Sequence, residues 1–279
     1  MARIIMMTDF SEAYPRRLLI GVAKYAHDIG EAWTLCRLNT IVRDKYGIDA
    51  IVEYASRFQA DVVIGQFYES DNLNAFTDAG IIPIAQEFAS RNSDVINITG
   101  EHHKAGKSGA EYYINKGFHN FAFLGINGVV WSDERLEGFK SAVQNIGKGY
   151  TFSQFKLPHS TIWQNYDMTE LSTWLKALPK PVAIMACDDN QAFLVVEVCR
   201  HLAINENITK LRIPDDVAIL SVTDIEVAKY ANPPLTTYHI PAEEIGYVAA
   251  DLLISRINGY DLLPHRVMLP SNLIVRGTV

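Results

Sequence analysis

The stretch Pro181–Ala192, PVAIMACDDNQA, decides how the chain reads. Val182–Cys187 is a short continuous apolar run, the signature of a strand covered on both faces. Asp188 and Asp189 end it, and Gln191–Leu202 follows with helical periodicity. In an open α/β sheet the carboxyl edge of the strands is where small ligands bind, so Asp188 stands where a site belongs. Asp is also a favoured N-cap. The stretch alone leaves both readings open.

The same alternation extends in both directions. Arg3–Met7 reads as a buried strand with the polar exit Thr8-Asp9-Phe10-Ser11. Leu18, Val22, Tyr25 and Ile29 share one helix face that ends at Gly30. Strands follow at Trp33–Leu38, Val62–Gly65, Ile81–Ala85 and Val95–Ile98, with helices over Ile51–Phe58 and Asn72–Ala79. The pattern then restarts. Helices at Gly106–Asn115, Glu134–Val143 and Thr169–Leu178 alternate with strands at Phe121–Leu124 and Tyr150–Phe155. Val217–Val222 ends at Thr223-Asp224, Glu243–Ile257 is a helix, and Arg266–Leu269 and Leu273–Arg276 close the chain. Alternating strands and helices predict parallel sheets covered on both faces. No Gly-, Pro- or Ser-rich linker divides them, so two lobes joined by several short crossovers are expected.

The 279 residues carry a net charge of −7 and are 48% hydrophobic, an ordinary globular composition without the basic footprint of a nucleic-acid reader. Cys36, Cys187 and Cys199 lie in or beside apolar runs without a CxxC pair, which fits reduced thiols in the cytoplasm. No signal peptide or membrane helix is expected.

Four strand exits carry acids: Asp9, Glu101, Asp188 and Asp224. Arg135 opens a helix just beyond Trp131, and Phe10 and Tyr14 follow the first strand. Carboxylates accept from hydroxyls, arginine donates to oxygens, and aromatic faces cover C–H surfaces. The set suits a neutral polyhydroxyl ligand. Other motifs fall away. Gly106-Lys107-Ser108 lacks the first glycine of a phosphate loop, since Glu101 stands in its place. His102 and His103 are adjacent and cannot share a helix face as metal ligands, and they read as surface or cleft-lip residues. Ser108 lacks the nucleophile-elbow glycines. No catalytic residue, metal site or cofactor is expected.

The segments IPDDVAILSVTD (213–224), GFHNFAFLGI (117–126), ERLEGF (134–139) and the tail from Leu235 to Val279 resemble the effector-binding domain of lactose-repressor-family regulators. The resemblance spans nearly the whole chain. AYPRRLLIGVAKY (13–25), WSDERLEGF (131–139) and IWQNYDMTELSTWLKALP (162–179) are similar to the AraC-type xylose regulators within that group. It implies a type I periplasmic-binding-protein-like α/β fold, with two doubly wound lobes joined by three crossovers and a sugar between them. The expected lobes are about 1–117 plus 239–260 and about 118–238 plus 261–279. A DNA-binding helix-turn-helix domain is expected outside this chain. By resemblance Arg135, Asp188 and Asp224 bind the sugar. Glu101 stands where an aspartate is usual, Asp9 takes an asparagine position, and Ser221 replaces a glycine. The implied protein is a homodimeric sugar sensor that contacts DNA only through the absent domain and does not touch membranes. Bulky Phe10 and Trp131 favour a pentose such as D-xylose. A transporter's solute-binding protein is the alternative.

Overall fold

The computed structural model describes residues 1–88, 91–158, 168–205, 211–260 and 264–279. Residues 162–167 and 261–263, which fall within two of the quoted stretches, lie outside them. The described chain forms two compact units, 1–100 with 241–270 and 101–240 with 271–279, so it crosses between them three times.

In the first unit the strands are β1 (Arg3–Met7), β2 (Thr34–Leu38), β3 (Val62–Gly65), β4 (Ile82–Gln86), β5 (Ile96–Ile98) and β11 (Arg266–Val267). They lie in the order β11-β5-β4-β3-β1-β2, all parallel. Its helices are α1 (Ala13–Asp28), α2 (Thr40–Phe58), α3 (Asn74–Asp78) and α8 (Ala242–Ile257). The four residues of β3 and the last four of β1 are all buried, as expected for apolar runs sandwiched between helices. α2 starts eleven residues before the expected Ile51. Asn39 caps it through Ile41 N, and the axis breaks at Gly47, whose φ of 79° suits glycine. Its first half is mostly polar and exposed, so no apolar stripe announces it.

The second unit holds β6 (Asn120–Ile126), β7 (Thr151–Leu157), β8 (Val182–Ala186), β9 (Val217–Thr223), β10 (Thr236–His239) and β12 (Asn272–Ile274). Their order is β12-β10-β9-β8-β6-β7, parallel except for the antiparallel β10–β12 pair. Helices α4 (His102–Asn115), α5 (Val130–Gln144), α6 (Met168–Ala177) and α7 (Asp189–Asn205) flank it. β10 was not expected. Its Thr236-Thr237 pair reads as polar, yet both side chains are fully buried.

Each unit contains a helix pair brought to backbone contact by glycines. A Cβ on Gly21 would lie 1.8 Å from the Glu243 carbonyl oxygen, and one on Gly246 2.2 Å from that of Leu18. In the second unit, a Cβ on Gly106 would lie 2.0 Å from the Arg135 carbonyl oxygen, and one on Gly138 2.0 Å from that of His103. That contact corrects the expected lobe boundaries. α4 packs on α5, so 101–117 belongs to the second unit. β11 pairs with β5, so 264–270 belongs to the first. Among the described residues no helix is long and apolar enough to cross a membrane.

Candidate functional site

In the second sheet the chain leaves β6 toward β7 on one side and β8 toward β9 on the other. The carboxyl ends of β6 and β8 therefore flank a topological switch point, the usual ligand position in such sheets. Ser132 fastens the start of α5 there, its hydroxyl accepting from Ile126 N at 2.9 Å. One turn later Arg135 is buried at 3% exposure. One edge of its guanidinium donates to the Cys187 carbonyl at the end of β8. Nη2 lies 3.1 Å from His102 Nδ1, and the plane sits 4.9 Å over the Trp131 ring. A guanidinium carries no acceptor, so Nδ1 of His102 is the lone-pair partner.

Asp188 takes the cap role of the two its stretch allowed. Its Oδ1 accepts from Gln191 N at 3.0 Å and its carbonyl from Ala192 N at 3.1 Å, which is N-cap geometry. Burial raises its carboxyl pKa, while the backbone N–H groups of Gln191 and Asn190 and the Arg135 charge pull it back. The neighbour Asp189 is structural. Its carboxylate accepts from the Ser221 hydroxyl, from Thr237 Oγ1 at 2.8 Å and from Ile225 N at 2.7 Å, tying α7 to β9 and β10. Ser221, the departure from glycine, thus holds a buried acid. Burial pushes the Cys187 thiol well above its ordinary range, which removes it as a nucleophile.

Asp224 stands at the exit of β9, where Thr223 and Asp224 adopt φ of 126° and 59°. A β-branched residue at positive φ is strained, and such strain concentrates at functional sites. Register sets His239 beside Thr223. Its Nδ1 lies 3.2 Å from Asp224 Oδ2, and Arg276 Nη2 donates to Oδ1 at 2.7 Å. Arg276, a second arginine beside these acids, neutralises Asp224. Nothing in the tail's spacing pointed to Arg276. The expectation for His102 is corrected, since it is buried against Arg135 while His103 is exposed. Glu101 begins this unit and pairs with Lys104 at 3.1 Å.

In the first unit the corresponding switch point lies between β1 and β3. Asp9 N donates there to Gln66 Oε1 at 3.4 Å, and Asp9 Oδ1 accepts from Ser11 N at 2.9 Å. Half-buried Phe10 accepts from Arg16 through its carbonyl, and half-buried Tyr14 opens α1. Gln66, at the exit of β3, was not among the expected residues. Five of the eight expected residues, Glu101, Trp131, Arg135, Asp188 and Asp224, thus stand in the second unit. Asp9, Phe10 and Tyr14 stand in the first. Among the described residues no cluster of three or more His, Cys, Asp or Glu could hold a metal.

The model of the periplasmic binding protein-like domain family matches residues 110–279. A lactose operon repressor of Rhizobium radiobacter is 43% identical over 99 residues, 36% of this chain and 80% of that protein. The xylose operon regulatory protein of Escherichia coli (strain K12) is 24% identical in an alignment covering 96% of this chain and 67% of that protein. A solved structure, a periplasmic binding protein/LacI transcriptional regulator from Alkaliphilus metalliredigens QYMF complexed with D-xylulofuranose, has a TM-score of 0.77. It is 19% identical, with 100% of this chain and 99% of that one covered. These relatives are regulators, not enzymes. The AraC-type attribution of the xylose regulator finds no support in them and is dropped.

Proposed function

Because the chain belongs to the periplasmic binding protein-like domain family, we propose that it is the sugar-sensing effector domain of a bacterial transcription regulator of lactose-repressor type. The carrying observation is the buried Arg135, held by the Cys187 carbonyl and His102 over Trp131, with Asp188 capping the helix that starts beside that carbonyl. Such a group combines a fixed cationic donor, a carboxylate acceptor and an aromatic face, the three contacts a sugar ring takes. Glu101 and Asp224 of the same unit are proposed to add to these contacts, and Asp9, Phe10 and Tyr14 stay candidates by resemblance alone.

The named relatives being regulators favours a sensor over a transporter component. DNA recognition is assigned to a separate reader domain, since this chain has a net charge of −7. A regulator of that kind works in the cytoplasm and as a homodimer, because paired operator half-sites call for paired readers. The sugar is proposed to be a pentose. The likeness to a xylose operon regulator and to a xylulofuranose complex supports that choice. So does the bulk of Trp131 beside Arg135, which disfavours an exocyclic hydroxymethyl group.

A thermal-shift screen with xylose, arabinose, ribose, glucose and glucuronate tests this reading, since a ligand bound only by the folded state raises the melting temperature. A pentose giving the largest rise is expected. A rise with glucose or glucuronate alone counts against the pentose, and a flat panel counts against sugar sensing.

A further inference from the structure

We infer that His102 is a positioning residue that fixes the Arg135 guanidinium for the bound sugar, an inference that rests on the sugar-binding reading above. His102 is the first residue of α4 and is 7% exposed. Its Nδ1 lies 3.1 Å from Arg135 Nη2, while the opposite edge of the guanidinium donates to the Cys187 carbonyl. The flat face rests on Trp131 at 4.9 Å. Two edges and one face restrained leave the plane of this four-torsion side chain little freedom. A donor already oriented loses less entropy when a ligand accepts from it.

The backbone brings the two residues close. Gly138 sits against the carbonyl of His103, and Gly106 against the carbonyl of Arg135 itself. The α4–α5 backbones therefore approach closely beside the two residues that meet through their side chains. His102 adds an acceptor that a guanidinium cannot supply to itself, with the imidazole proton on Nε2.

The assignment predicts a chemical hierarchy. The side-chain oxygen of asparagine stands as many bonds from Cα as imidazole Nδ1, so H102N keeps an acceptor in place. Leucine fills similar space without one. Glutamine carries its acceptor one bond too far. Two readouts on the full chain test this. Nitrogen-resolved NMR reads whether the Arg135 η protons are held or averaged by rotation, without any ligand. Calorimetry with D-xylose and D-ribose reads affinity.

Held η signals are expected in the native chain and in H102N, and averaged ones in H102L and H102Q. Sugar affinity should fall about tenfold to a hundredfold in H102L, the loss of a hydrogen bond to a charged group. It should stay near the native value in H102N. Held signals in H102L, or an H102N variant no better than H102L, would overturn the assignment. If H102L fails to fold by circular dichroism, the H102N and H102Q pair carries the same comparison. If the native chain binds neither sugar, the NMR readout still decides His102, and only the sugar reading fails.

Discussion

Asp189 shows how a residue beside the site can hold the fold. It is 1% exposed, and burial raises its carboxyl pKa from 3.8 to about 6, against the pull of the Ser221, Ile225 and Thr237 donors. Between those two values the folded chain keeps a proton that the unfolded chain has released. Stability therefore falls as pH rises from about 4 to about 6 and levels off above, by on the order of 3 kcal/mol. In D189N, which cannot ionise, urea denaturation from pH 4 to 7 should show that slope removed. Parallel slopes in the two proteins would deny the shift. Sequence identified the adjacent acids Asp188 and Asp189 but could not divide their work. The division follows from what faces each: Arg135 toward Asp188, and the Ser221 and Thr237 hydroxyls toward Asp189. Those partners are 32 and 48 residues from Asp189 in the chain. Arg276 pairs with Asp224 across 52 residues and escaped notice for the same reason.

At the level of elements, apolar runs and helical periodicity read well, and what they missed has a physical cause. β10 is a strand of threonines whose hydroxyls are satisfied inside the fold. Thr236 Oγ1 accepts from Arg276 N at 2.9 Å, and Thr237 donates to Asp189. A residue reads as polar in sequence whether or not its hydrogen bonds are internal. The α4–α5 contact gives a sharper test. In an open helix Gly→Ala gains about 1 kcal/mol. At Gly138 the new Cβ would stand 2.0 Å from the His103 carbonyl, a backbone atom that cannot swing aside. G138A should therefore lose stability, by about 2 kcal/mol or more. Thermal unfolding followed by circular dichroism reads the sign, and a stabilised G138A would show that the two helices do not touch there.

At the scale of the whole molecule, the repeated alternation foretold two α/β units and their parallel sheets. Their borders were not legible, because α4 continues the strand–helix rhythm of the first unit without interruption. Its glycine contact with α5 and the Tyr113 hydroxyl, which donates to the Ile184 carbonyl of β8 at 2.8 Å, assign it to the second. The function was legible as a class through the segments 117–126, 134–139 and 213–224, which carry the regulator-family resemblance. The support beneath Arg135 was not, since His102 and the Cys187 carbonyl offer no motif. Sugar sensing by this chain stands or falls on Arg135. The most direct measurement is calorimetric titration of the native chain and of R135K with D-xylose, D-ribose and D-arabinose, with recovery of unaltered sugar at the end. Lysine keeps the charge but not the planar fork. The account predicts saturable binding of at least one pentose without chemical change, weakened in a folded R135K by about 2–4 kcal/mol. Equal affinity in the two proteins, or no heat from any pentose, would contradict it.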